Sequence, residues 1–118
     1  MIYGAIDGSG VPFITVEVAG REWKVVIDTG FNGYQELPFD LAPHVNPRFY
    51  NRAPSLLAAN QSIEEDNYFV DFPFDGDIVR AVATFSDGSG ILLGTQMIRD
   101  YKLTVDFVTG EVILERLI

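Results

Sequence analysis

An all-β fold is predicted by three features of the chain. Short segments alternate apolar and polar residues with the period of a half-buried strand. β-Branched and aromatic residues crowd those segments, and turn signals built from Gly, Asn, Asp and Ser separate them roughly every 8 to 12 residues. Together they describe a sandwich or a barrel. With 118 residues the chain is read as a single domain spanning 1–118, large enough for its own core and too small for two. An apolar fraction of 47% places it among globular rather than disordered sequences.

Composition narrows the function classes. A net charge of −9 and the lack of Lys/Arg clusters argue against a nucleic-acid partner. There are no cysteines, so disulfides, a thiolate nucleophile and zinc–thiolate sites are excluded. The segment Met1–Asp7 lacks the basic and apolar regions of a secretion signal, and no run reaches 18 apolar residues. A cytoplasmic protein without a membrane partner is the expectation.

Taken in order, Met1–Ile6 is a short terminal strand closed by the turn Asp7-Gly8-Ser9-Gly10. Pro12–Val18 alternates, with Ile14, Val16 and Val18 on one face. Ala19-Gly20-Arg21 joins it to Glu22–Ile27 as a hairpin. Leu37–Ala42 can hold a helical turn, but Pro43, Pro47 and Pro54 make the stretch to Ser55 mostly loop. Leu56–Ala59 and Ser62–Phe72 read as strands about a tip at Asn60-Gln61. Phe74-Asp75-Gly76-Asp77 is a hairpin turn before a strand over Ile78–Phe85, and Ser86–Gly90 is a turn leading into Leu92-Leu93-Gly94. Thr95–Asp100 is predicted to be a short helix capped by Thr95, exposing Gln96 and Arg99 and burying Met97 and Ile98. Leu103–Phe107 and Glu111–Leu114 close the chain as a hairpin about Thr109-Gly110.

One stretch stands out chemically. Val25-Val26-Ile27 drives a buried strand into Asp28-Thr29-Gly30, and Gly30, Asn32 and Gly33 then supply the freedom of a tight turn. Asp28 is therefore expected on the lip of a loop, where a carboxylate is costly to desolvate without compensation. An aspartate opening a turn is the ordinary meaning of such a sequence. Further along stand Ile91-Leu92-Leu93-Gly94-Thr95 and then Tyr101–Val112.

In order and spacing, the two motifs resemble those of the single-lobe, retropepsin-like aspartic proteases, over about Phe13 to Leu114. Asp28-Thr29-Gly30-Phe31-Asn32-Gly33-Tyr34 looks like the form in bacterial and archaeal members, most viral members having Ala or Ser where Phe31 stands. The resemblance implies a closed, antiparallel β-barrel with one short helix near the C-terminus. It implies catalysis by Asp28, Thr29 and Gly30, with Gly94 packed against the catalytic loop. A substrate cleft would involve Phe31, Asn32, Leu92, Leu93 and Gly94, with Asn60-Gln61 in the position of the flap, in place of the family's glycine-rich tip. Phe31 and Tyr34 either line that pocket or fill a core. Leu92 and Leu93 are equally readable as a plain buried strand.

Amide hydrolysis by such a site needs two carboxylates about 3 Å apart, which cannot both ionise and so share a proton, as is established for aspartic proteases. Only one Asp-Thr-Gly is present, and Asp87-Gly88-Ser89-Gly90 is not a second copy. A homodimer donating Asp28 from each chain, acting on peptide or protein, is the consequence. No metal or cofactor is implied. His44 is the sole histidine and cannot anchor zinc by itself. Two alternatives are a non-catalytic module of the same fold that holds an extended peptide, and a glycosidase, which would need a second acid such as Asp106. Asp106 is better explained as a strand-end residue.

Overall fold

The computed structural model describes every residue except Leu57. Among the described residues, ten strands form one hydrogen-bonded network in the order β5-β6-β7-β4-β8-β3-β2-β1-β10-β9. They are β1 (Ile2–Ile6), β2 (Pro12–Val18), β3 (Arg21–Ile27), β4 (Gln35–Pro38), β5 (Arg48–Leu56), β6 (Ser62–Phe74), β7 (Asp77–Ser86), β8 (Ile91–Leu93), β9 (Tyr101–Asp106) and β10 (Glu111–Arg116).

Three hairpins follow from their turns. Between β6 and β7 stand Asp75 at φ 52° and Gly76 at φ 81°, the two left-handed positions that match the twist of antiparallel strands. Ala19 and Gly20 do the same between β2 and β3, and β9 and β10 pair from Glu111 opposite Asp106 to Arg116 opposite Tyr101. Alternation buries Ile14 and Val18 of β2, Trp23, Val25 and Ile27 of β3, and Val70, Phe72 and Phe74 of β6. With Leu37, Ile91, Leu93, Val112 and Leu114 they form the core.

Several expectations need correction. The barrel does not close: among the described residues the terminal strands β5 and β9 do not pair with each other. The sheet instead folds over itself, bringing β2 against β6. Tyr101 of β9 packs edge-on to Phe74 and donates its hydroxyl to Asp75 at 2.8 Å. Burial, then that bond, pushes the Tyr101 phenol up to about 12, which keeps it a donor. Nor is the sheet wholly antiparallel, since β8 runs parallel to β3 and β4 runs parallel to β7.

The short helix lies mid-chain rather than near the C-terminus. Phe39–His44 forms a 3-10 helix, with Pro43 inside it and Val45 N–H donating to the Ala42 carbonyl. Pro43 has no N–H to carry a helical bond onward, which helps keep the element to this short turn. The predicted helix over Thr95–Asp100 is a chain of turns. Met97 N–H donates to Gly94 and Ile98 N–H to Thr95, and β9 starts at Tyr101 before any i−4 bond forms. Gln96 and Arg99 are nevertheless exposed, and Met97 and Ile98 buried.

The stretch to Ser55 read as mostly loop contains β5, and β4 ends within the segment read as a helical turn. Pro54 sits in β5, an edge strand, where a missing donor costs no ladder bond. The expected arm Leu56–Ala59 includes Leu57, outside the described residues; a single 3-10 turn, Ala58–Asn60, stands next to it.

Three carboxylates fasten the connections. Asp7 accepts Lys24 Nζ at 2.6 Å and the backbone N–H groups of Ser9 and Val11, clamping the β1–β2 turn to β3. Asp71 takes both guanidinium nitrogens of Arg48 at 3.0 and 3.1 Å, joining β5 to β6. Asp106 accepts Val108 and Thr109 N–H in the last turn. The Lys24 hydrogen bond leads in lowering Asp7 from 3.8 to about 2, and Arg48 and the Thr109 N–H likewise hold Asp71 and Asp106 low. Between those values the unfolded chain binds more protons than the folded one, so stability falls as pH falls. Thermal melts of wild type and Asp7→Asn should therefore differ most near about pH 6 and converge toward about pH 2. A gap independent of pH would show that the Asp7 charge contributes nothing.

Candidate active site

The topology places Asp28 at a strand crossing. After β3 the chain loops through residues 28–34 into β4, and later returns as β8 between β3 and β4, parallel to the first and antiparallel to the second. The 28–34 loop must therefore pass over the end of β8. Four backbone bonds lace it to the segment leaving β8: Asp28 N–H to the Leu93 carbonyl at 2.9 Å, Gly94 N–H to Tyr34 at 2.8 Å, Thr95 N–H to Phe31 at 2.9 Å, and Gln96 N–H to Gly33 at 3.1 Å. At about 0.5–1.5 kcal/mol net apiece, they hold the loop by a few kcal/mol.

The crossing is tight enough to dictate residue type. A Cβ on Gly94 would stand 2.2 Å from the Gly33 carbonyl oxygen and 2.8 Å from the Phe31 ring, and one on Gly33 would stand 2.6 Å from the same ring. The half-buried Phe31 ring thus occupies space left open by two glycines.

Asp28 is half-buried, with Thr29 and Gly30 exposed beside it. Its Oδ1 accepts the Gly30 N–H at 2.9 Å, while its backbone carbonyl accepts Phe31 N–H at 3.1 Å. The turn so formed fixes the carboxylate at the loop's outer lip. The turn 87–90 enters β8 at the other end of β3, where Gly90 faces the Lys24 carbonyl. Among the described residues no group of three or more His, Asp or Glu side chains is placed to hold a metal, and no helix is long and apolar enough to cross a membrane.

Beside the loop runs a groove of about 570 Å³. Phe31, Asn32 and Gln35 line one wall, Pro54, Ser55 and Asn67 of the β5–β6 hairpin line the other, and residues 82–84 of β7 contribute to it. Of the anticipated substrate contacts, Phe31 and Asn32 reach this groove, as does Tyr34, left open between pocket and core. Leu93 is fully buried, Leu92 half-buried, and neither lines it. Gly94 braces the loop from below. Asn60 and Gln61 are exposed at the hairpin tip and do not line the groove either.

Sequence reasoning missed Gln35. It is 1% exposed, and neither side-chain amide atom has a hydrogen-bond partner among the described residues. Leaving such a group buried and unmatched costs about 1–3 kcal/mol. The available signal was a polar residue on the same strand face as Leu37, just past the Asp-Thr-Gly loop.

Solved structures of retropepsin-like aspartic proteases share this mainly-β architecture. A retropepsin-like aspartic protease from Rickettsia conorii is similar over 96% of this chain and 88% of its own, with TM-score 0.65 and 18% identity. EIAV protease, solved with the inhibitor HBY-793, is similar over 80% of this chain and 90% of its own, with TM-score 0.59 and 16% identity. Simian foamy virus (mac) protease is similar over 74% and 91%, with TM-score 0.56 and 20% identity. No protein-family model and no curated protein matches the sequence.

The crossing yields a stability prediction. Gly94→Ala forces a methyl against backbone rather than against a flexible side chain, and should cost about 1–3 kcal/mol in urea unfolding. A change within about 0.5 kcal/mol, the range of an ordinary surface substitution, would contradict the close approach.

Proposed function

We propose that the protein is an aspartic endopeptidase that works as a homodimer, each chain contributing one Asp28. The observation that carries this reading is the Asp28 carboxylate itself, fixed by the Gly30 N–H on the lip of a braced loop; Asp28, Thr29 and Gly30 do not line the groove, which the same loop reaches through Phe31 and Asn32. The retropepsin-like fold supports it, and the single Asp-Thr-Gly of the chain makes the second carboxylate a partner's.

In this reading the two carboxylates meet across a twofold axis and share one proton. The ionised member takes a proton from a water lying between them, and the protonated member gives its proton to the oxygen of the scissile carbonyl as the water attacks. The negative charge developing on that oxygen is thereby neutralised in the same step. Thr29 bonds across the axis and holds the two loops in register. Gly30, bare of side chain, lets substrate backbone approach. The peptide lies in the groove beneath the β5–β6 hairpin, whose tip at Asn60-Gln61 closes over it. No metal or cofactor takes part in these steps.

Asp28→Asn keeps the shape of the side chain but cannot serve as the base. It should lower peptide cleavage by about a hundredfold or more at unchanged melting temperature. Undiminished turnover by the folded variant, followed on a peptide library, rules out the aspartic mechanism.

The hairpin makes a separate prediction. Excising Asn60 and Gln61 should raise KM for long peptides and leave the melting temperature almost unaltered, because an exposed tip contributes to closure and not to the core. Lost stability with unaltered KM would instead assign the tip a structural role.

A further inference from the structure

The floor of the groove is one face of three neighbouring strands. Glu36 of β4 pairs in register with Thr84 of β7, and Tyr68 of β6 pairs with Ala83, which carries Asn67 alongside Thr84. Glu36, Thr84 and Asn67 thus form a row across the sheet, and Glu65, two residues from Asn67 on the same strand, shares their face. All four line the groove, while Leu37, Ala83 and Leu93 are buried on the opposite face.

What this row offers a ligand is one-sided. Glu36 and Glu65 are half-buried, and the ion pairs among the described residues, Lys24–Asp7, Arg48–Asp71, Arg52–Asp66 and Arg116–Asp77, leave both carboxylates unanswered. Asn67 donates its amide hydrogens to Asn51 Oδ1 at 3.0 Å and to the Glu65 carbonyl at 3.5 Å, so its Oδ1 remains as a third acceptor. Among the described residues no lysine, arginine or histidine lines the groove. Two strand spacings and one step along β6 put the Cα atoms of Glu36 and Glu65 about 12 Å apart, close enough for one extended cation to bridge their carboxylates.

The complement of such a floor is a positive group with several donors. A carboxylate in the peptide is repelled, a hydrocarbon leaves the acceptors unmatched, and a carboxamide brings donors without charge. An ammonium gathers its donors on one atom, whereas a guanidinium spreads five over a planar fork and can answer two separated carboxylates at once. We infer that Glu36 and Glu65 are specificity-determining residues that select an arginine side chain in the peptide occupying the groove. The inference rests on the peptide-cleft reading above and adds to it the side-chain class that the cleft prefers. The net charge of −9 attracts basic peptides in general, but only the groove fixes which of their residues is read.

The test uses the full chain carrying Asp28→Asn, so that peptides are bound and not consumed. Fluorescein-labelled decapeptides, each with Arg, Lys or citrulline at one scanned position in an otherwise constant host, are titrated by fluorescence polarisation. Citrulline keeps the length and planarity of arginine and removes its charge. At one position of the scan the Arg peptide should bind about tenfold or more tightly than the citrulline peptide, with the Lys peptide between them. Adding Glu36→Gln and Glu65→Gln together should reduce that preference to about twofold or less at an unaltered melting temperature. Glu65→Gln alone gives the same comparison, with a smaller drop, if the double variant folds poorly. Glu64→Gln removes an equal charge from an exposed position that does not line the groove, and should leave the preference intact.

A preference that survives the double substitution, one lost equally in Glu64→Gln, an equal gain at every scanned position, lysine matching arginine, or no measurable binding by any peptide overturns the inference. Cleavage by wild type without preference for arginine removes the inference and leaves the protease standing. Binding that depends on Glu36 and Glu65, by a wild type that cleaves nothing, removes the protease and leaves the inference.

Discussion

Everything in this fold that concerns chemistry depends on one close approach, the passage of Gly94 beneath the carbonyl of Gly33. Because β8 enters the sheet between β3 and β4, two connections must occupy the same end of the same strand. Only backbone without a side chain on either level fits there, and the gain is four interlocking hydrogen bonds that give the 28–34 loop one geometry. A loop closed merely by its own turn bonds would sample many positions of the Asp28 carboxylate. Bracing from a second segment converts a flexible turn into a rigid shelf, which is what orientation-dependent proton transfer requires.

The residues that violate local rules gather around that shelf. Gly33 and Gly94 give up side-chain packing, Phe31 is half-exposed where a core residue would be buried, and Gln35 is a core position with an unmatched amide. Elsewhere the chain is consistent with its fold: the strands alternate, the Asp75-Gly76 turn has the left-handed φ values its hairpin demands, and Asp7, Asp71 and Asp106 are all answered by donors. Concentration of local cost in one place is expected where function, rather than stability, chose the residues.

How far the sequence could be read follows from the range of the interactions involved. The β2–β3, β6–β7 and β9–β10 hairpins depend on short turns of two to four residues and period-two alternation, so they were legible in the sequence, and Asp28 was legible as the end of an apolar strand. β5 was hidden because Pro54 argues against a strand, and only its edge position, a property of the whole sheet, removes the objection. The turns after Gly94 were mistaken for a helix because their burial pattern is helical. What prevents the helix is the start of β9 at Tyr101, fixed by pairing with β10. Barrel closure failed as an expectation for a similar reason, since it depends on whether two strands distant in sequence meet. The groove was the least legible feature: residues 31–36, 54–55, 65, 67, 82–84 and 96 line it, segments that no local pattern connects.

The central claim is that the two Asp28 side chains meet, and assembly measures this more directly than activity does. Two carboxylates in contact hold a proton that separated chains at neutral pH release, so acid favours the dimer. The net charge of −9 per chain acts in the same direction, which makes the wild-type trend uninformative alone. Asp28→Asn removes the local repulsion and alters only one of many charges. Sedimentation equilibrium of both proteins at about pH 4 and about pH 7.5 decides the matter. The account predicts a variant dimer tighter than wild type at the higher pH, with the difference shrinking at the lower. A variant-to-wild-type ratio that is the same at both would mean that the two carboxylates never meet.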